Sequence, residues 1–140
     1  MTTENRLEKV MTALRLLREV GDYDSSIAGA VGEVYAEEKL GMLKAERGCR
    51  GIDGYIGGRS VSVKTKEKAA LNHHYVPIRK SNYGVADDLL VVIIDGDDVS
   101  HLGPIEFAKL EYYEKPDGSE RRYKITKIVE AVEKVSCNLL

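Results

Sequence analysis

Asp53, Ser62 and Lys64 are the residues of this chain whose types and spacing could do chemistry. They lie in GIDGYIGGRSVSVKTKEK, residues 51–68. Gly57-Gly58 stands between two runs with strand character. A Gly-Gly pair there predicts a two-residue hairpin turn, because a type I′ turn needs positive φ at both central residues. That turn sets a register, with Ile56 opposite Arg59, Tyr55 opposite Ser60, Asp53 opposite Ser62 and Gly51 opposite Lys64. Side chains alternate faces along a strand. Val61, Val63 and Thr65 therefore share an anchoring face, and Ser60, Ser62, Lys64 and Lys66 share the other. An acid, a small polar group and a lysine are then expected on one patch, pairing a group that can take a proton or cation with one that can meet an anion.

The charge around that patch is uneven. Residues 1–43 hold 5 basic and 8 acidic side chains, residues 44–80 hold 9 and 3, and residues 81–140 hold 7 and 12. The whole chain carries a formal charge of −2, which argues against a generic nucleic-acid coat, yet the basic excess is confined to the hairpin and its flanks. A local basic stripe is an electrostatic footprint for phosphate. Arg50, Arg59, Lys66, Lys68, Arg79 and Lys80 are the expected nucleic-acid contacts. Residues 66–88 read as a long polar connection in which basic residues alternate with tyrosines, a composition suited to phosphate contact and base stacking. The adjacent His73 and His74 are read as surface histidines, since neighbours point in different directions and no further ligand spacing accompanies them.

Several elements must position these groups. Leu7, Val10, Met11, Leu14 and Leu17 predict an amphipathic helix over 3–20, capped by Thr3. A second helix runs from a cap at residues 24–26 to Leu40, with Ile27, Ala28, Val31, Val34 and Tyr35 inward. Gly29 and Gly32 are poor helix formers, each costing up to about 1 kcal/mol against alanine. Their presence suggests that something passes close. Glu33, directly beside Gly32, is the second candidate carboxylate, whereas Glu38 reads as part of a solvated face. Met42 to Gly48 leads as a short strand into a basic turn. LLVVIID, Leu89–Asp95, is a continuous apolar run expected as a strand buried on both faces. Val99–Leu102 should return antiparallel to it, and Pro104 should start a short helix through Leu110. KPDGS, 115–119, predicts a turn between EYYEK and RRYKI. Thr126 is the expected cap of a last helix with Ile128, Val129, Val132 and Val135 inward. The predicted fold is α/β (α+β), a mixed central β-sheet flanked by helices, in one domain over 1–140.

The same residues exclude several classes. No apolar run approaches the ~20 residues a membrane-spanning helix needs, and the polar N-terminal residues do not read as a secretory signal. Cys49 and Cys137 lack metal-type spacing and are expected as free thiols in a cytoplasmic protein. A P-loop, GxGxxG, GxSxG and HExxH are absent from the sequence.

Asp53, then Ser62-x-Lys64 on the next strand, resembles the core of the restriction-endonuclease-like PD-(D/E)XK superfamily, whose pattern is an acid, a variable gap, and acid-x-lysine. Asp53 matches the first acid and Lys64 the lysine. Ser62 stands where the second acid or a glutamine is expected. GAVGEVYAEEKLG, Gly29–Gly41, resembles the preceding helix of many members, which carries a glutamate, here Glu33. The resemblance covers about residues 26–95, within an expected nuclease-like core of about 26–110 followed by a hairpin and helix over 111–140. It implies Mg²⁺- or Mn²⁺-dependent hydrolysis of nucleic-acid phosphodiesters, with DNA as the expected substrate. Glu33, Asp53 and Lys64 would be catalytic, and Glu33, Asp53 and the Val63 carbonyl would hold the metal. A domain this small that cuts both strands is expected to act as a homodimer. Two alternatives stay open: a catalytically inactive nucleic-acid-binding relative, because a serine hydroxyl is a weak Mg²⁺ ligand, and a protein-interaction module on the same fold.

Overall fold

The computed structural model describes residues 5–20, 26–46, 48–68 and 75–138. The expectations placed on Thr3, on the cap at 24–26, on His73-His74 and on the Cys137 thiol lie outside the described residues or side chains, whereas Cys49 is free and exposed.

The apolar rhythm of the N-terminal stretch forms α1 (Arg6–Val20), and α2 (Ser26–Leu40) follows it. Met11 and Leu14 of α1 pack with Ala28 and Val31 of α2. The chain then builds a five-stranded mixed sheet from β1 (Leu43–Lys44), β2 (Gly54–Ile56), β3 (Arg59–Glu67), β5 (Asp88–Asp95) and β6 (Asp98–Glu106), in the order β1-β2-β3-β5-β6. A second, three-stranded sheet has the order β4-β8-β7, from β4 (Tyr75–Arg79), β7 (Tyr113–Glu114) and β8 (Glu120–Lys124). Helix α3 (Ile125–Asn138) continues directly from β8. The fold is α+β, as the sequence predicts.

The hairpin forms through Gly57-Gly58, at φ 59° and 79°. Both values are positive, as the two-residue turn demands. Its register pairs Ile56 with Arg59, Tyr55 with Ser60 and Gly54 with Val61. The ladder stops there, so the expected pairing of Gly51 with Lys64 does not extend it.

β3 and β5 run parallel, with Ser62 opposite Leu89 and Lys64 opposite Val91. A parallel pair requires a long crossover, and here the crossover contains β4. This corrects the reading of 66–88 as a polar loop. Val76 and Ile78 alternate inward into the core, but Pro77 between them and the surrounding charges conceal a five-residue strand. Pro77 is accommodated because β4 is an edge strand of its sheet. Pro104 is likewise corrected: it lies within β6, an edge strand, and only Phe107–Lys109 forms a short 3₁₀ turn. Thr126 is the second residue of α3, so it does not cap it.

β5 is buried on both faces, as its composition predicts. Leu89 and Val91 meet Val76, Ile78, Tyr123 and Ile128 on one side. Leu90 and Val92 meet Tyr35, Ala36, Met42 and Val61 on the other. Each such aliphatic side chain contributes roughly 1.5–3 kcal/mol by leaving water. The two faces of β3 inherit this division. Val61, Val63 and Thr65 look toward α2, and Ser62, Lys64 and Lys66 look away from it. No helix among the described residues is long and apolar enough to cross a membrane.

Candidate functional site

Two carboxylates meet at the sheet edge where β2 begins. Asp53 immediately precedes that strand. Its N–H donates to the Val61 carbonyl at 2.8 Å, and its Oδ2 accepts from the Val63 N–H at 2.7 Å. One residue thus straddles Ser62. The ladder explains why: β2 pairs with β3 only as far as Gly54, and the Val63 donor takes a carboxylate oxygen in place of a strand carbonyl. A strand residue's N–H and C=O leave the backbone on the same side. The Val63 carbonyl therefore opens toward the edge that Asp53 caps.

Glu33 reaches the same place from α2. A Cβ added at Gly32 would collide with the Thr65 hydroxyl, so glycine lets α2 approach β3 this closely. Gly29 has no neighbour within 4 Å of such a Cβ. Of the two glycines, the one beside Glu33 marks the close approach. The Glu33 carboxyl lies within hydrogen-bonding reach of Asp53. Burial, then the Asp53 charge and that hydrogen bond, then Glu37, push the Glu33 carboxyl above its ordinary pKa, while Lys44 pulls it down. Glu37 is itself held by Arg6 at 3.4 Å. Two carboxyls in such contact coexist by sharing a proton or a cation.

Lys64 follows Val63 along β3. It leaves β3 on the face away from α2, as do Lys66 and the buried Ser62. Lys66 is half-buried; burial first and Lys64 second lower its pKa, and Glu120 raises it. Asp53 turns into the strand edge and acts on Glu33, and Lys64 acts on Lys66. The cation beside the carboxylates is Lys44, which sequence reasoning missed as a site residue. Its signal was the short strand after Met42: Lys44 pairs with Gly54, next to Asp53.

The expected nucleic-acid contacts divide. Arg59 forms a fork with Asp88, with bonds of 2.9–3.2 Å to its two oxygens. Next to it the Ser60 N–H donates to Asp87 Oδ2 and the Asp87 N–H to Ser60 Oγ. Arg59 thereby staples β3 to β5. Lys68 pairs with Asp95 at 3.5 Å. Arg50, Arg79 and Lys80 are exposed.

A groove of about 800 Å³ lies elsewhere, between α1, the end of α2 and the β5–β6 turn. Its charges are mixed: Arg6, Arg15 and Lys39 face Glu37, Asp97 and Asp98. Arg6 pairs with Glu37 and Arg15 with Asp97 there, so charges of this groove are met within the protein and it is the poorer candidate. The chain matches no known protein-family model, and no curated protein matches it in sequence.

Proposed function

We propose that the Glu33–Asp53 edge is a divalent-cation site for phosphodiester hydrolysis, which makes the protein a metal-dependent nuclease. The observation that carries this reading is the meeting of two carboxylates from separate elements, one fixed by a main-chain N–H and the other brought in by a glycine contact. The donor set suits Mg²⁺ or Mn²⁺. Among the described residues no three histidine, cysteine or acidic side chains form one metal-binding group. Mg²⁺ is commonly held by one or two carboxylates, with water and phosphate completing its shell. Glu33, the free oxygen of Asp53 and the Val63 carbonyl would hold the ion. When bound, the ion would stabilise charge on the scissile phosphate and lower the pKa of a coordinated water.

The remaining roles belong to the chain's own cations. Lys44 offsets the paired negative charge beside Glu33. Lys64 and Lys66, with Glu120 of β8 as the acid that acts on Lys66, would receive the substrate phosphates. Lys64 would also steady the developing charge if the substrate bridges the strand edge.

Ser62 favours a second reading. It is buried and neutral where the resembled motif carries an acid. A site short of one negative charge could bind nucleic acid without cutting it, with Glu33 and Asp53 sharing a proton. The test is incubation of purified protein with linear, supercoiled and single-stranded DNA and with RNA, with Mg²⁺, Mn²⁺ or EDTA. Cleavage that requires the metal and disappears in Asp53→Asn is expected. Asparagine keeps an acceptor for the Val63 N–H, so that loss reports on charge and not on the strand cap. No metal-dependent cleavage of any of the four would overturn the nuclease reading.

A further inference from the structure

The second sheet has two unlike faces. Val76 and Ile78 of β4 and Tyr123 of β8 point into the core. By alternation, Tyr75, Pro77 and Arg79 of β4 and Glu120, Arg122 and Lys124 of β8 occupy the outer face. The ladder sets Tyr75 opposite Lys124, Pro77 opposite Arg122, and Arg79 opposite Glu120. Tyr113 of β7 lies opposite Arg122 from the other side. The rings of Tyr75 and Tyr113 are 6.4 Å apart and edge to face. The Arg122 guanidinium stands 4.6 Å from the Tyr75 ring and Lys124 Nζ 5.7 Å from the Tyr113 ring. Tyr113 is 42% exposed, large for an aromatic side chain.

We propose that this outer face is a stacking platform for single-stranded nucleic acid. The substrate class rests on the phosphodiester reading above; the composition of the face does not. Arg122 pairs with Glu120 at 2.7 Å, and Arg79 and Lys124 leave the face positive on a chain whose total charge is negative. Aromatic rings on a strand face offer flat apolar area to bases, and the interleaved cations meet the phosphates between them. Only unstacked bases can use such rings, because the bases of a duplex are already stacked on one another. The face also leads somewhere. Glu120, at the start of β8, acts on Lys66 of β3, and Lys66 is followed along its strand face by Lys64 and Ser62. Each strand segment, Lys124 to Glu120 and Lys66 to Ser62, spans about 13 Å at ~3.3 Å per residue. A strand lying on the tyrosines would meet Lys66 and Lys64 beyond Glu120. The partial burial of Lys66 beside a like charge favours an anion at that point.

The test is fluorescence anisotropy in EDTA at low salt, with a labelled oligothymidine of about 20 nucleotides and a duplex of equal length. Wild type should bind the single strand about tenfold or more tightly than the duplex, and Tyr113→Ala should weaken single-strand binding about tenfold while Tyr113→Phe stays within about twofold. If Tyr113→Ala does not fold, Tyr113→Leu, which keeps an apolar side chain without a ring, should show the same loss. Lys124→Gln should reduce the slope of log affinity against log salt by about 0.7. Absence of single-strand binding, equal affinity for the duplex, or unchanged affinity in the tyrosine variants would overturn the platform. Metal-dependent cleavage with no effect of Tyr113→Ala on binding would remove the platform and leave the nuclease; platform binding without cleavage would do the reverse.

Discussion

Asp88 and Asp53 flank the same strand, and the chain treats them in opposite ways. Asp88 is buried and receives the Arg59 fork, so charge meets charge and its lone pairs are occupied. Asp53 gives one oxygen to a main-chain N–H and faces another carboxyl. A pair such as Arg59–Asp88 is complete within the protein and fixes where β3 sits against β5. A pair such as Glu33–Asp53 is complete only with something added. The lesson is that a perturbed carboxyl beside a like charge points to function, whereas an equally well-placed carboxyl beside a cation points to architecture. The same distinction removes Arg59 from the list of free phosphate contacts and leaves Lys66 on it.

Breaking the architectural member of this comparison should have the largest effect on stability. Asp88→Asn keeps the shape but removes the charge from bonds worth about 1.5–3 kcal/mol when a charged group takes part. Arg59 is half exposed and can turn to water, so a loss of about 1–2 kcal/mol is expected, read as a lower urea midpoint with unchanged slope. Asp53→Asn should be neutral or stabilising in the same measurement, because it relieves a like-charge contact and keeps an acceptor for Val63. Equal losses for the two variants would erase the distinction.

Gly32→Ala sharpens it from the other side. Alanine favours the helix by up to about 1 kcal/mol, but its methyl would meet the Thr65 side chain. Overpacking of this kind costs about 1–3 kcal/mol. A net loss of about 1 kcal/mol is expected, and cleavage should fall further than stability does, because α2 carries Glu33. Gly29→Ala, with open space around it, should gain a few tenths of a kcal/mol and leave cleavage alone.

The smallest expected effect is in pH dependence. The folded pKa of Glu33 is raised above its ordinary 4.5. The folded chain then binds that proton more tightly than the unfolded chain. Glu33's contribution to stability therefore falls as pH rises from about the ordinary value through the raised one. Glu33→Gln removes this term. Its melting temperature should exceed that of wild type at neutral pH, and the gap should close as pH falls below the ordinary carboxylate pKa. A constant gap across that range would place the proton elsewhere.

Much of this fold was legible because it rests on local signals. Gly57-Gly58 dictates its own turn and hence the register, and the Leu89–Asp95 run announces its burial. β4 was hidden because two inward residues around a proline, between basic flanks, give too short a period to distinguish from a loop. The pairing of Glu33 and Asp53 as neighbours could be suspected from Gly32, yet no local pattern states where a helix will touch a sheet. The hydrogen bond of Asp53 to the Val63 N–H was not legible for a definite reason. Alternation assigns faces only within a ladder, and Asp53 lies one residue beyond it, where its side chain is free to cap Val63 instead. The place of Lys44 beside the carboxylates and the pairing of Tyr75 with Tyr113 were not legible because both depend on strands of two residues, β1 and β7, whose partners are set by tertiary packing.

Mn²⁺ binding to wild type and Asp53→Asn, followed by electron paramagnetic resonance at pH 7.5 without nucleic acid, tests the cation site most directly. One site per chain is expected in wild type, weakened about tenfold or more in Asp53→Asn and in Glu33→Gln, with Mg²⁺ competing for it. Binding that is equal in all three proteins, or absent from wild type, would contradict the assignment of the Glu33–Asp53 edge as a metal centre.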